Sequence, residues 1–325
     1  MKNSGTDKPV FSVVVPAYNE EEVIAQACAR LTAVMEQTGE EFEIIFVNDG
    51  SRDSTADIIR DIAARDRRVK LINFSRNFGH QSAVTAGIDR ASGDAVVIID
   101  ADLQDPPEVI PLMIEKWREG FNVVYGKRVK RRGEGVFKKI TAKLYYRVLR
   151  RLTDVDIPTD TGDFRLIDGK VCAALKKLNE KNRYMRGLVS WVGFKQTSVE
   201  YEREKRAAGK TKYPVSKMFS LAADGITSFS YKPLRIAASA GLLVSAAGFV
   251  YLLVIIYQKL FTDTTVTGWA STLAVILFTQ GFILTVLGIM GEYIGRIYAE
   301  IKNRPIYLTD DCIGFDDEPP LGGGE

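Results

Sequence analysis

The sequence is poor in several residue types that whole protein classes depend on. Its 325 residues include three cysteines and a single histidine. Cys28, Cys172 and Cys312 lie far apart and form no Cys-x-x-Cys pair, which argues against a disulfide framework or a zinc site and fits a reducing compartment. Charge of one sign is also lacking. Forty-four Lys and Arg against 41 Asp and Glu leave a net +3, so no nucleic acid or other bulk polyanion is expected as a partner. Met1 to Pro9 is polar and has no apolar signal-peptide core, so the N-terminal part is expected on the cytoplasmic side. No Gly-x-Gly-x-x-Gly follows the first strand-like run. Pro16-Ala17-Tyr18-Asn19-Glu20 stands there instead, and a dinucleotide enzyme is a poor reading.

What is present begins with Ile98-Ile99-Asp100-Ala101-Asp102-Leu103-Gln104-Asp105. The apolar run Ala95 to Ile99 reads as a buried strand, and Pro106 and Pro107 suit the first turn of a following helix. Similar runs occur at Phe11–Val15, Phe42–Val47, Val69–Asn73 and Asn122–Tyr125. The amphipathic segments between them have crossover-helix length, which predicts an α/β fold with a mostly parallel, doubly covered sheet. Asn19 is expected to cap a first turn containing Glu20, Glu21 and Glu22.

In such sheets ligands bind beyond the carboxyl ends of the strands. Those ends carry Tyr18 and Glu20, then Asp49 in Asn48-Asp49-Gly50-Ser51, then Arg76 and Asn77, then Asp100 and Asp102. Asp-x-Asp alone reads more readily as a solvated acidic turn. Four strands delivering polar groups to one rim read as a nucleotide-and-metal site, with hard oxygen ligands suited to Mg²⁺ or Mn²⁺. His80 is read as a loop residue near the ligand rather than a catalytic group. Asp163 and Arg165 in Gly162-Asp163-Phe164-Arg165-Leu166 should share one face of a strand; Asp163 is a candidate base or acceptor-orienting group, with a buried salt bridge as the alternative.

The rest of the chain points to a membrane. Lys127 to Arg151 holds eleven Lys or Arg and one acid, Glu134, in a pattern that predicts a basic amphipathic helix. A cationic loop with Arg203, Arg206, Lys210 and Lys212 around Gly209 suits phosphate clamping. Pro214 to Ser230 has the apolar stripe of an interfacial helix. No charge occurs between Arg235 and Lys259 or between Asp263 and Glu292, and each gap exceeds the roughly 20 residues that cross a bilayer core. Lys232 and Arg235 before the pair, and Arg296, Lys302 and Arg304 after it, predict a hairpin that starts and ends in the cytoplasm. Small-residue stripes at Ala237, Gly241 and Ser245, and at Gly291 and Gly295, favour close packing within the hairpin or between subunits of a homo-oligomer. Residues after Thr309, acidic and rich in Gly and Pro, are expected to be loose.

Val-Val-Val-Pro-Ala-Tyr-Asn-Glu, Asn-Asp-Gly-Ser, Asp-Ala-Asp-Leu-Gln-Asp and Gly-Asp-Phe-Arg-Leu together resemble the family 2 glycosyltransferases of GT-A fold. The nearest branch by this likeness is that of dolichol-phosphate mannose synthase and the bacterial polyprenyl-phosphate (bactoprenol) glycosyltransferases. The resemblance implies a nucleotide-sugar donor and a polyprenyl phosphate acceptor. It implies that Pro16, Ala17, Tyr18, Glu20 and Asp49 hold the nucleoside and that Asp102 and Gln104 bind Mg²⁺ or Mn²⁺, with Asp100 beside them. Asp163 matches the acid near the acceptor phosphate and Arg165 the adjacent cation; Arg203, Arg206 and Lys210 match the loop closing over the phosphates. The Gln-x-x-Arg-Trp of processive relatives is missing, so one sugar per acceptor is expected. The implied organisation is a cytoplasmic GT-A domain over 1–213, an interfacial helix over 214–232, a transmembrane hairpin over 233–294 and a cytoplasmic segment over 295–325. A separate flippase is expected as a partner. A nucleotidyltransferase on a similar sheet, or a silent membrane scaffold retaining a nucleotide pocket, are the other readings.

Overall fold

Five runs rich in Val, Ile and Phe form strands in the computed structural model, which describes residues 9–129, 161–203, 230–261 and 268–315. They are β1 (Phe11–Ala17), β2 (Phe42–Asn48), β3 (Val69–Phe74), β4 (Ala95–Ile98) and β5 (Val123–Arg128). Successive side chains of a strand point to opposite faces, and β1 uses both. Phe11, Val13 and Val15 join one core with α1 (Ile24–Glu36) and α2 (Thr55–Arg65), while Val14 joins a second core with α3 (His80–Arg90). After a 3₁₀ turn with Pro107 at its first position, α4 (Ile110–Arg118) covers the first face. The second face is covered by α5 (Gly169–Lys176) and α6 (Met185–Trp191).

With β6 (Thr161–Asp168), β7 (Gln196–Tyr201) and β8 (Thr309–Ile313), the sheet has the order β7-β5-β6-β4-β1-β2-β3-β8. The block β4-β1-β2-β3 is parallel, and β5 and β7 pair in parallel. Strand β6 runs antiparallel to β4 and β5, and β8 antiparallel to β3. This sheet, mixed with mostly parallel strands, is the anticipated α/β class. The reversal of β6 matters for the site. Ile98 pairs with Arg165, so continuing the register two residues places Asp163 level with Asp100. Acids from the end of one strand and the start of another therefore share a rim.

Two local expectations are corrected. Asn19 does not cap α1, which begins at Ile24. Its backbone is left-handed, at φ 52°, and its side-chain oxygen accepts the Arg52 N–H at 2.8 Å. The β2–α2 loop has recruited the group that the helix was expected to use. The chain after Thr309 is not loose throughout, because Thr309–Ile313 forms the edge strand β8. Asp311, acidic and so unpromising for a strand, is compensated by Arg60 at 3.1 Å. The basic stretch from residue 130 onward, Arg206, Lys210 and nearly all of 214–230 lie outside the described residues.

Helices α7 (Lys232–Phe261) and α8 (Trp269–Ile301) form the C-terminal pair. Lys232–Gln258 and Phe278–Ile301 are long and apolar enough to cross a membrane. Gly241 lies opposite the Phe282 ring, which a Cβ would meet at 3.7 Å, so one small-residue position serves packing within the hairpin. The hairpin base meets the sheet domain where Glu300 accepts the Lys181 N–H at 2.9 Å.

Away from the rim, one buried carboxylate is held by several partners. Glu43, 2% exposed, accepts from Ser12, from the Ser92 hydroxyl and backbone N–H, and faces Lys70 Nζ at 2.7 Å. Burial alone raises a carboxyl pKa, but the Lys70, Ser12 and Ser92 contacts outweigh it and hold Glu43 below the ordinary value. A depressed folded-state pKa confers stability above the unfolded pKa of about 4.3, lost as pH falls through the folded value. Glu43→Gln is therefore expected to lower stability by about 2 kcal/mol at pH 7. Urea midpoints measured from pH 7 to pH 3 should begin to approach wild type below about pH 4.3 and close on it only as pH falls through the lower folded-state value. A constant gap over that range would remove the electrostatic explanation.

Candidate active site

Each parallel strand ends by handing a polar loop to the same rim, and the loops are tied together. Ala17 pairs with Asn48 at the ends of β1 and β2. Beyond them the Asp49 N–H donates to the Ala17 carbonyl and the Asn19 N–H to Ser51 Oγ, both at 2.9 Å. The Glu20 N–H donates to Thr55 Oγ1 at 2.9 Å. Pro16 and Ala17 are buried, whereas Tyr18 and Glu20 are half-buried at the rim. Gly50 permits the crowding: its φ is +64°, and a Cβ there would lie 2.4 Å from the Arg76 carbonyl carbon. No other residue fits without moving backbone.

Asp49 is 4% exposed, and its carboxylate accepts from the Phe78 N–H at 2.7 Å and the Gly79 N–H at 3.0 Å. Burial pushes its pKa up and those N–H bonds offset part of the rise. Its visible work is to hold the β3–α3 loop against the β1–β2 loops.

At the end of β4, Leu103 adopts the left-handed conformation, φ 56°, which is unusual for a bulky residue and concentrates at functional turns. The turn buries Leu103 and sets Asp102 and Gln104 at its two ends, with Asp102 Oδ1 accepting the Gln104 N–H at 3.1 Å. Asp105 is fully buried. It accepts the Tyr201 hydroxyl at 2.5 Å and is faced by Arg128 at 3.3 Å and Arg203 at 3.4 Å. Arg203, expected to bind phosphate, is thus anchored beside the Asp-x-Asp turn.

The most concentrated chemistry joins β4, β6, α3 and α6. Gly87 lets α3 approach β1, since a Cβ there would stand 2.1 Å from Val14 Cγ1. The first residue of that helix, His80, places Nε2 3.3 Å from Asp163 Oδ2 and 3.7 Å from Asp100 Oδ1. Arg186 grips Asp163 with both prongs, Nε at 2.8 Å and Nη2 at 3.1 Å. Gln81 holds the start of α6 by accepting the Met185 N–H at 2.8 Å. Burial opposes ionisation of Asp163, but Arg186 and His80 outweigh it and keep the carboxyl well below the usual range. Burial likewise pulls His80 down, yet the Asp163 hydrogen bond and the Asp100 and Asp163 charges raise it to about 9. Asp100 is pushed up by burial and by Asp163, Asp102 and Asp105, against the pull of His80.

Arg165 is 4% exposed and turns to backbone, donating to the carbonyls of Asp163 at 3.2 Å and Gly162 at 3.0 Å. Burial lowers its pKa to about 10. The cation that meets the Asp163 carboxylate closely is Arg186, which the sequence did not single out. Its only signal was an arginine near a short helix start. His80 had a stronger one, as a lone histidine beside the rim.

Among the described residues, no three His, Cys, Asp or Glu side chains form a group that could hold a metal ion by themselves. The donors at the β4 exit are hard oxygens from Asp100, Asp102 and Gln104. That set fits a Mg²⁺-type ion, which commonly takes one or two carboxylates and completes its shell with substrate phosphates and water.

Comparison with known proteins shows the family. The family described as Glycosyl transferase family 2 matches residues 12–175, and the GtrB C-terminal hairpin family matches residues 232–297. The chain is 58% identical to the uncharacterized glycosyltransferase YkcC of Bacillus subtilis, over 95% of each chain. It is 45% identical to the SfII prophage-derived bactoprenol glucosyl transferase of Shigella flexneri, over 92% of this chain and 96% of that one. Among solved structures, mannosyl-3-phosphoglycerate synthase from Rubrobacter xylanophilus superposes with a TM-score of 0.49 and 17% identity, over 68% of this chain and 73% of that one. The protein is therefore a glycosyltransferase, and the chain belongs to glycosyl transferase family 2.

Proposed function

We propose that the protein moves one hexose from a UDP-hexose to polyprenyl phosphate at the cytoplasmic face of a membrane, inverting the anomeric carbon. One observation carries the reading: His80, Asp100, Asp163 and Arg186 meet at the sheet rim in a chain that continues into two helices of membrane-spanning length. The relatives named bactoprenol glucosyl transferase support the acceptor class. In this reading Pro16, Ala17, Tyr18, Glu20 and Asp49 form the nucleoside end, with Asp49 shaping the loop that the nucleoside meets.

Asp102 and Gln104, with Asp100 beside them, would hold Mg²⁺ or Mn²⁺. The ion, when bound, supplies Lewis-acid stabilisation of the leaving diphosphate. The acceptor phosphate has a second pKa near 6 and is largely dianionic at neutral pH. It needs orientation more than deprotonation. An Asp163 held ionised by Arg186 and His80 is a weak base, so its role is to fix those cations where they meet the acceptor phosphate. Arg203 adds positive charge on the donor side. Arg165 braces the Gly162–Asp163 backbone that presents the acid.

Lys232 and Arg235 before the hairpin, and Arg296, Lys302 and Arg304 after it, support cytoplasmic ends on both sides. Two spans are too few to carry the product across, so a separate flippase completes export. The small-residue positions leave room for self-association. The full-length protein, incubated with UDP-glucose, other nucleotide sugars and a short polyprenyl phosphate with Mg²⁺ or Mn²⁺, should yield polyprenyl-phosphate hexose of opposite anomeric configuration and release nucleoside diphosphate. Pyrophosphate release would instead indicate nucleotidyl transfer. No lipid product from any donor would overturn the reading.

A further inference from the structure

The strand that follows the hairpin is wired to the loops at the opposite end of the sequence. Asp311 of β8 accepts from Asn73 Nδ2 of β3 at 2.8 Å. Asn73 Oδ1 accepts from Asn48 Nδ2 of β2 at 2.6 Å. Asn48 Oδ1 accepts the Ser51 hydroxyl at 2.5 Å, and Ser51 Oγ accepts the Asn19 N–H at 2.9 Å. Asn48 and Asn73 are 2% and 8% exposed, so water offers them little alternative. A carboxylate can only accept. Asp311, with Asp310 as a longer second acceptor at 3.5 Å, therefore sets which end of the Asn73 amide faces β8, Asn73 dictates the orientation of Asn48, and Asn48 turns the Ser51 oxygen toward Asn19. All the dipoles in the chain run the same way, an arrangement in which hydrogen bonds reinforce one another.

A second contact path runs in parallel. Tyr307, just before β8, stacks on Phe74 at 5.0 Å, and Phe74 meets Phe78 edge-on at 5.7 Å. The Phe78 N–H is one of the donors that fix Asp49. Arg60 clamps Asp311 from α2 with contacts of 3.1 and 3.2 Å, which neutralises the half-buried acid and keeps β8 in place.

We propose that Asp311 is a positioning residue for the nucleotide-sugar donor. Through Asn73, Asn48 and Ser51 it sets the Tyr18–Asn19–Glu20 loop, so the segment emerging from the hairpin completes the donor site from behind. The inference rests on the reading of Tyr18, Glu20 and Asp49 as the nucleoside end. It also gives the fold a reason to return the chain to the far edge of the sheet after the hairpin, where β8 would otherwise be a dispensable edge strand.

The test uses full-length protein in detergent, with equilibrium binding of UDP and, in parallel, GDP in the presence of Mn²⁺. Asp311→Asn keeps the side-chain volume but lets the amides turn. It is expected to raise the nucleotide Kd and the donor KM by about three- to tenfold, leaving the KM for polyprenyl phosphate unchanged. Ser51→Ala cuts the chain in the middle, and adding Asp311→Asn to it should weaken binding little further, because the second change acts only through the first. A circular-dichroism melt of each variant checks folding. If Asp311→Asn binds nucleotide like wild type while Tyr18→Ala binds weakly, the coupling is refuted and the donor site stands. Additive effects of the two substitutions would also refute it. If Tyr18→Ala binds like wild type, the donor-site reading fails and the coupling with it.

Discussion

Asp163→Asn is expected to lower kcat/KM by about 10²-fold or more, the scale on which misplaced substrate-orienting groups cost rate. The size of the effect follows from how much converges on one carboxylate. Arg186 holds it with two charge-assisted hydrogen bonds and His80 lies 3.3 Å away. Asparagine keeps the volume but removes the charge that balances them. One prong of Arg186 would then face an amide N–H₂, and the guanidinium is expected to swing away from the acceptor position. Misplacement of about 1 Å can itself cost on the order of 100-fold. Because the carboxyl is held well below its usual range, it is a poor proton acceptor, and loss of orientation should dominate. The discriminating measurement is Arg186→Lys. A lysine keeps a positive charge but loses the bidentate fork, so a fall in kcat similar to that of Asp163→Asn would support positioning. A full retention of kcat by Arg186→Lys, with Asp163→Asn still inactive, would return Asp163 to the role of a base.

The second large effect is expected at Asp102. Its carboxylate stands at the start of a turn whose middle residue, Leu103, is buried and left-handed, and accepts the Gln104 N–H across that turn at 3.1 Å. Asp102→Ala is expected to leave that backbone intact and reduce metal-dependent turnover by about 10³-fold, corresponding to several kcal/mol of lost leaving-group stabilisation at 1.36 kcal/mol per decade. Gln104→Ala should cost less, about tenfold, because a neutral amide contributes one weaker ligand. Titration with Mn²⁺ separates the roles. Raised metal should recover most of the Gln104→Ala activity and little of that of Asp102→Ala. Recovery of both to the same level would mean that Asp102 is not the main anchor.

Strands β1 to β5 were legible because β-branched runs such as Phe11-Ser12-Val13-Val14-Val15 and Ala95-Val96-Val97-Ile98 have one good structural use, a buried strand, whereas β7 (Gln196–Tyr201) and β8 (Thr309–Ile313) have no such run. Polar residues directly after such runs were legible as rim residues for the same reason, since a parallel sheet brings its strand ends to one side. The two apolar spans were readable from length and absence of charge.

By itself, then, the sequence determined what is local: which apolar runs are strands or long helices, and which polar side chains follow them. Only the tertiary structure decided which side chains meet. Arg165, two residues from Asp163, forms the buried ion pair that the sequence offered, at 3.7 Å, but gives its hydrogen bonds to backbone carbonyls, whereas Arg186, from a separate helix, arrives with its fork facing the acid. Asp311, acidic and in a tail-like segment, became part of a sheet through Arg60 and Asn73, 251 and 238 positions earlier in the chain. The physical reason is that charge pairing and amide orientation depend on distances of a few ångströms across chain separations of hundreds of residues. Periodicity in the sequence carries no record of those distances.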